Sequence, residues 1–206
     1  MKIIPPSVSF DFQWDYPFAL GIIERAGRTC YKSKPKGDSE AFIRKIISKG
    51  HESVLEHVSI GVRIICDRGV SHELVRHRTG IAFSQESTRY VRYDKDNMEF
   101  IEPWWWHDHT FDRLQFDIFE GACIDAESRY LSMLACGALP QAARAVLTTA
   151  LKTEVVATAN LREWRHIFKL RRSMAAHPDM RRVMDMVFYK FVNEYPVFFE
   201  DLNDKN

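Results

Sequence analysis

Residues 76–90 read Arg-His-Arg-Thr-Gly-Ile-Ala-Phe-Ser-Gln-Glu-Ser-Thr-Arg-Tyr. Cation-forming side chains open this stretch, a short apolar run with one glycine follows, and a polar run closes it at Arg89 and Tyr90. A stretch with so many charged and polar side chains is not expected to form part of a hydrophobic core. Arginines beside hydroxyls instead suit a phosphate, because the planar guanidinium fork matches phosphate oxygens two at a time. The stretch therefore indicates an anion and nucleotide site, which the rest of the chain is expected to support.

The polar half of this stretch, residues 84–90, predicts a row of ligand-binding side chains. If the chain is extended there, Gln85, Ser87 and Arg89 share one face, spaced about 6.6 Å apart. An amide, a hydroxyl and a guanidinium in a row suit a nucleoside monophosphate, with the arginine on the phosphate and the others on the sugar or base. A solvated edge strand is the alternative, and the run alone does not decide between the two.

The flanking segments predict strands and helices that do not alternate regularly. Strand-like patterns occur at 2–10, 58–64, 98–101 and 154–159. Helical patterns occur at 17–29, 39–50, 69–76 (entered through Ser71), 111–135, 141–147, 161–172 and 178–194. Because no glycine-rich turn follows a strand, the order favours an α+β fold over a doubly wound parallel sheet. The length of 206 residues predicts one domain, over residues 1–206.

Composition narrows the class of protein. The net charge of +1 gives no bulk attraction to nucleic acid, and none is expected as a partner. The four cysteines are dispersed, with no C-x-x-C pair, which argues against a zinc ribbon and fits a reducing compartment, here the cytoplasm. The proline pair at Pro5-Pro6 interrupts the N-terminus too early for a signal peptide, and no apolar run is long enough for a membrane span.

Histidine-rich segments suggest metals only weakly. In residues 51–57 the zincin pattern requires a second histidine at position 55, which is Leu55. A Ser/Glu/His cluster that binds an organic ligand or caps a helix is the better interpretation. His107 and His109 could share one face of a strand, but no metal is expected at either place.

A second basic cluster lies on the helix predicted at 161–172, where Arg162 and His166 are one turn apart. Arg171 falls on the apolar stripe of that helix. An unpaired buried cation is costly, so Arg171 is expected to meet an anion, either a carboxylate of the protein or a ligand. The tryptophans at 104–106 could stack on a base, or form an aromatic lid or interface.

The opening stretch also resembles a known signature. Arg76-His77-Arg78 followed by Ser87-x-Arg89 is similar to the R-H-R-x7-S-x-R motif of flavin-dependent thymidylate synthases. Three further blocks resemble other motifs of that family: His51 to His57 its H-x-[ST]-x-x-E-H stretch, Ala143 to Leu147 its A-R-x-x-L-P segment, and Asn160 to Arg171 its N-x-R…H-x-x-x-L-R helix. Four ordered blocks make the resemblance far more specific than any one motif.

The chain departs from the family pattern at three places. Eight residues rather than seven separate Arg78 from Ser87, which predicts an insertion near Thr79-Gly80. Thr148 stands where proline is expected, and Glu73 stands where many relatives have glutamine. Glycine can absorb an inserted residue, so we expect any change of geometry at Gly80 and an intact period-two face from Gln85 to Arg89.

The resemblance implies a set of ligands and roles. FAD would be held by Ser53 of a neighbouring subunit and by Arg76, His77, Arg78, Gln85, Asn160, Leu161, Arg162 and His166. The nucleotide dUMP would be held by Glu73, Arg76, Gln85, Glu86, Ser87, Thr88, Arg89, Arg144 and Arg171. Arg171 would also be catalytic, favouring the ionised uracil. The family fold is a mostly antiparallel twisted sheet flanked by long helices, assembled as a homotetramer with flavins between subunits.

The resemblance implies a methyltransferase of dTMP biosynthesis. The family reaction transfers a methylene group from methylenetetrahydrofolate to dUMP and takes electrons from a reduced nicotinamide, here NADPH. No cysteine has a context that suits thiolate addition to uracil, whereas a flavin can supply a hydride. Two alternatives remain open. One is a non-catalytic protein that binds nucleotides or single-stranded nucleic acid through arginines and residues 104–106. The other is a family member inactivated by the insertion.

Overall fold

The computed structural model describes residues 1–35, 37–94 and 98–203 and has the expected α+β class. The strands are β1 (Lys2–Ile4), β2 (Ser7–Phe12), β3 (Ser59–Asp67), β4 (Ile81–Gln85), β5 (Glu99–Ile101) and β6 (Lys152–Asn160). The α-helices are α1 (Tyr16–Tyr31), α2 (Ser39–Ser48), α3 (Arg68–Leu74), α4 (Arg113–Ala135), α5 (Pro140–Ala143), α6 (Leu161–Arg171), α7 (Pro178–Glu194) and α8 (Pro196–Phe199). Short 3-10 helices cover Glu52–His57, Arg144–Val146 and Glu200–Leu202.

The main sheet has the strand order β2-β3-β6-β4, and β1 pairs with β5 in parallel. Hydrogen bonds at both ends show that β4 and β6 run antiparallel. At one end the Asn160 amide donates to the Gly80 carbonyl (3.3 Å), and at the other the Glu86 amide donates to the Glu154 carbonyl (2.9 Å). The same number of residues separates the two contacts on each strand, so the register carries no bulge between them. The predicted antiparallel sheet is confirmed in this pair.

The chain divides into two compact units. The first unit comprises Met1–Ser7, Ile64–Arg76 and Ser84–Val155, and the second comprises Val8–Arg63, His77–Phe83 and Val156 to the end of the described chain. Strand β4 therefore contributes residues to both. One domain over residues 1–206 stays a prediction.

The core of the first unit forms between α4 and the segments around β5 and β6. Cys123, Ala126 and Tyr130 of α4 pack there with Phe100. The apolar residues of the helical pattern predicted at 111–135 are only partly buried in α4: Ala126 and Tyr130 lie in the core, but Leu114 and Ile118 are more than 60% exposed. In the described residues, no helix is both long and apolar enough to cross a membrane.

The core of the second unit is aromatic. Trp164 and Phe168 are one turn apart on α6, and both are buried against Phe191 of α7. The indole of Trp164 also donates to the carbonyl of Ile60 in β3 at 3.0 Å, so its one polar group is satisfied. This packing fixes the rotation of α6 and therefore the side chains on its opposite face.

Helix α3 begins earlier than predicted. Its N-cap is Asp67, whose carboxylate accepts from the Val70 amide at 2.8 Å, whereas Ser71 lies inside the helix and donates to the Arg68 carbonyl. An aspartate N-cap also favours the helix dipole electrostatically, which a serine does not. Arg68 is thereby the first residue of the helix.

The expectation of an extended face from Gln85 to Arg89 was wrong. Strand β4 ends at Gln85, and the chain then turns. The Ser87 hydroxyl accepts from the Arg89 amide (3.3 Å), and the Ser87 carbonyl accepts from the amides of Tyr90 and Val91 (3.1 and 3.0 Å). A serine that bonds to the backbone two residues on offers the chain an alternative to the sheet ladder, and here that alternative prevails.

Candidate functional site

The first unit contains a cavity of about 540 Å³ whose charged lining is wholly basic. Arg68, His72 and Arg144 line it, together with hydroxyls of Thr88 and two further threonines. Arg144 donates to the Thr88 hydroxyl at 3.2 Å, and no carboxylate in the described chain lies at ion-pair distance from it. A guanidinium with hydroxyl neighbours and no acid is free to bind an anion.

Gln85 is held in place by two hydrogen bonds. Its side-chain nitrogen donates to the hydroxyls of Ser71 (2.9 Å) and Thr153 (3.1 Å). These bonds leave the amide oxygen for another donor. The bent course of the chain after Gln85 instead brings Thr88 to Arg144, and it leaves Arg89 exposed beside the ring of Tyr90.

Glu86 lies in a different cavity, of about 850 Å³. Its carboxylate accepts from Lys152 at 3.1 Å and from the hydroxyl of Tyr93, and burial raises the pKa of Tyr93, so that hydroxyl remains a donor. The structure therefore does not bring Glu86 to Arg144. Glu73 is half-buried on α3, and Arg76 is exposed in the turn that follows.

A second cluster, in the second unit, centres on His77. Arg171 donates through Nε to His77 Nε2 at 3.0 Å, and Nδ1 of the same ring lies 3.4 Å from Oε1 of Glu163. The ring of His166 meets that of His77 edge-on, with centroids 5.9 Å apart. Burial, together with the charge of Arg171 and the presence of His166, lowers the pKa of His77 to about 4. His77 is therefore neutral at pH 7.

The remaining predicted cofactor residues lie in or near α6. Asn160 caps the helix, its Oδ1 accepting from the Glu163 amide at 2.8 Å, and Leu161 is a core residue. Arg162 is exposed and donates to Glu56 at 2.5 Å. In the same unit, Ser53 and Arg78 are exposed.

Gly80, near which the resemblance predicts an insertion, has φ +68°, a left-handed conformation that favours glycine. A Cβ at this position would lie 2.9 Å from Nδ2 of Asn160. Backbone freedom and close approach therefore both select glycine at the place where the insertion was expected.

The buried arginine of α6 is Arg165, not Arg171. Its guanidinium binds the carboxylates of Glu52 (3.0 Å) and Asp201 (2.6 Å) and the carbonyl of Phe198. Arg171 is half-buried and donates to His77. Helical spacing places Arg165 next to the stripe, but the partner carboxylates lie more than thirty residues away in sequence, so no local pattern reveals the pairing.

Three residues at these places were missed by the sequence patterns: Arg68, His72 and Glu163. Arg68 and His72 share a face of α3, one turn apart, and that spacing could have indicated them. Glu163 follows Asn160 by three residues, which predicts only a helix cap.

The expected aromatic segment packs on itself. Trp105 stacks on Phe111 with centroids 5.0 Å apart, and Trp105 and Trp106 both meet Phe116 and Phe119 edge-on. These contacts occupy part of the ring surfaces of Trp105 and Trp106, whereas Trp104 is 41% exposed.

One group of side chains in the described residues has the spacing of a metal site. The ligand atoms of His77, Glu163 and His166 all lie within 4.8 Å of one another. The guanidinium of Arg171 is bonded to the same imidazole, however, and a cation there repels a second cation. We do not treat these side chains as metal ligands.

The fold and the two clusters define an α+β protein with an arginine-lined cavity. A family profile described as "Thymidylate synthase complementing protein" matches residues 15–197. The chain belongs to this family, as its similarity to named flavin-dependent thymidylate synthases also shows.

The relatives cover nearly the whole chain. It is 34% identical to "Flavin-dependent thymidylate synthase" of Mycobacterium leprae (strain Br4923), over 97% of this chain and 85% of that protein. It is 33% identical to the protein of the same name from Mycobacterium tuberculosis (strain ATCC 25177 / H37Ra), with the same coverage. Among solved structures, the UMP/dUMP methylase PolB from Streptomyces cacaoi bound with 5-Br dUMP superposes with a TM-score of 0.81 at 22% identity, covering 97% of this chain and 96% of that one.

Proposed function

We propose that this protein methylates dUMP to dTMP, with FAD as cofactor, methylenetetrahydrofolate as one-carbon donor and NADPH as electron source. Membership of the family and the names of the relatives support flavin-dependent thymidylate synthesis. The observation that carries the proposal is the cavity at Arg144, which gathers basic groups and hydroxyls without an acid. Four free cysteines agree with a cytoplasmic location.

The cavity of the first unit would bind the phosphate of dUMP. Arg144 and Arg68 supply fixed positive charge, and the Thr88 hydroxyl is already oriented by Arg144. The exposed guanidinium of Arg89 adds a further donor from the turn. Gln85 would present its amide oxygen to a donor of the sugar or base, because its nitrogen is engaged elsewhere.

The second unit offers the donors that a flavin dinucleotide requires. Arg78 is exposed with no described carboxylate partner, and it suits a pyrophosphate. The side-chain nitrogen of Asn160 and the exposed ring of His166 supply further hydrogen-bonding groups, and neutral His77, whose ring nitrogens face Arg171 and Glu163, lies beside His166. The flavin, when bound, supplies the hydride that reduces the transferred carbon. Ser53 would reach the flavin of a neighbouring subunit in a homotetramer.

Arg171 would act on the pyrimidine. Its guanidinium is half-buried, where charge interactions are stronger than in water, and its hydrogen bond to His77 limits its motion. Placed beside the uracil carbonyl, it would stabilise negative charge that develops on the ring and so favour reaction at C5.

Spectroscopy of the purified chain tests the proposal. We expect the protein to be yellow, or to become so with FAD, and dUMP to perturb the flavin absorbance. With methylenetetrahydrofolate and NADPH, dTMP should then form in amounts that exceed the enzyme. A chain that takes up no FAD contradicts the proposal. A chain that binds FAD and dUMP but makes no dTMP supports the inactive family member instead.

A further inference from the structure

Glu163 has no part in the functions described above, yet it faces the ring that holds Arg171. Because Nε2 of His77 accepts from Arg171, that nitrogen carries no proton, and the neutral ring must carry its proton on Nδ1. The Nδ1–H lies on the side of the Glu163 carboxylate, with 3.4 Å between the nitrogen and Oε1. The His77 side chain is only 5% exposed, so water does not compete freely for this proton.

The local sequence predicts a different use for Glu163. Asn160-x-x-Glu163 has the spacing of a capping box, in which the glutamate would accept from the Asn160 amide. One of the two hydrogen bonds of a capping box is present, since Oδ1 of Asn160 accepts from the Glu163 backbone amide at 2.8 Å. The Asn160 amide, however, donates to the Gly80 carbonyl at 3.3 Å. The pairing of β4 with β6 thus releases the Glu163 carboxylate from capping.

The electrostatic setting also needs an explanation. Burial raises the pKa of Glu163, which means that the fold makes its negative charge less favourable than water would. Within the described chain, no lysine or arginine lies at ion-pair distance from this carboxylate; its close polar neighbours are His77 and His166 on the same cluster. A carboxylate that loses hydration at this position needs a compensating role, and its contact with His77 supplies one.

We propose that Glu163 is a positioning residue: it holds the Nδ1-protonated tautomer of His77, so that Nε2 stays open to Arg171 and the guanidinium keeps one orientation. The part of this that concerns turnover rests on the proposed function, because only there does Arg171 meet uracil. The logic is that of a carboxylate which orients a histidine for a third group. Without Glu163 the other tautomer, with a proton on Nε2, would oppose the Arg171 donor.

Nuclear magnetic resonance of the ring nitrogens in 15N-labelled, FAD-loaded protein tests the proposal. Wild type should show protonated Nδ1 and unprotonated Nε2 for His77. Glu163→Leu should shift the ring towards a mixture of tautomers and lower kcat on the order of tenfold, with bound FAD unchanged. Glu163→Gln, whose amide oxygen can still accept, should restore the tautomer and most of kcat. Asp125→Asn, which removes an exposed carboxylate from an ion pair on α4, is the matched control.

Two results would overturn the proposal: a folded Glu163→Leu protein with the wild-type tautomer, or a glutamine variant as impaired as the leucine one. If Glu163→Leu does not fold, Glu163→Ala replaces it, and added formate should recover kcat by occupying the vacated carboxylate position. If wild type makes no dTMP, the proposed function fails, while the ring-nitrogen spectra still decide the role of Glu163.

Discussion

Arginine side chains have opposite surroundings at the Arg144 cavity and around α6. Around α6, Arg162 is paired with Glu56 and Arg165 with two carboxylates. At the cavity, Arg144 touches a threonine hydroxyl, and the charged lining has no acid. A paired arginine has its charge compensated by the fold, whereas an unpaired one beside a cavity is compensated only when an anion arrives. The difference separates cations that stabilise the protein from cations that recognise a ligand.

The largest expected effect is on the paired side. Arg165→Met removes the buried cation of this cluster and leaves Asp201 without its arginine and Glu52 with only the more distant Lys169 at 3.5 Å, so the free energy of unfolding should fall by about 3–5 kcal/mol. Urea denaturation measures this. Arg162→Met, at an exposed pair, is the matched control and should change stability by less than about 1 kcal/mol. Equal losses in the two variants would mean that burial does not decide the strength of these pairs.

Arg171→Ala should come next, with an effect on chemistry rather than folding. We expect the variant to keep its yellow colour and to lose dTMP formation by roughly a hundredfold or more, because charge developing on the uracil is no longer stabilised. Turnover assays at saturating dUMP, with the flavin absorbance recorded in parallel, measure both. Unchanged turnover would remove Arg171 from the reaction.

Arg144→Ala should weaken dUMP binding without weakening the fold. Loss of a hydrogen-bonded charge at a phosphate is expected to cost about 1.5–3 kcal/mol of binding free energy, and Tm should stay near that of wild type because no carboxylate is left unpaired. Calorimetry with dUMP measures the first and thermal unfolding the second. Arg113→Ala, at an exposed ion pair on α4, should leave both unchanged. A large fall in Tm for Arg144→Ala would contradict the contrast between the two regions.

The last effect, which is spread over a wide range of pH, is a pH dependence of stability that comes from His77. Its pKa is lowered to about 4 in the fold, so between pH 4 and the usual value of 6.5 the unfolded chain binds a proton that the folded chain refuses. Stability should therefore rise with pH across that window and be fully present above pH 6.5. His77→Gln should flatten the slope of unfolding free energy against pH. Carboxyl groups whose pKa is lowered in the fold, such as Asp201, contribute a slope of the same sign in wild type and in His77→Gln. The difference between the two slopes therefore isolates His77.

The sequence predicted most helices, strands and family motifs because these depend on local spacing. It misplaced what depends on distant partners. At Ser87 a turn replaces the predicted strand because the serine side chain bonds to the backbone. Arg165 rather than Arg171 is buried because Glu52 and Asp201, which are distant in sequence, pair with it. Glu163 was missed because its position three residues after Asn160 fits a helix cap, and the Gly80 carbonyl that takes the Asn160 amide is supplied by another strand. Whether the predicted residues bind FAD and dUMP in the roles given stays a prediction.

The unbroken register between Gly80 and Glu86 on one strand and Asn160 and Glu154 on the other has a consequence for editing the chain. A residue added or removed inside that span would send every following side chain of β4 to the opposite face of the sheet. A residue removed just before Gly80 would shorten only the connection between α3 and β4. Deleting Thr79 should therefore keep the same sheet and give the seven-residue spacing of the motif that the chain resembles, whereas deleting Ala82 should turn the following residues of β4 to the opposite face.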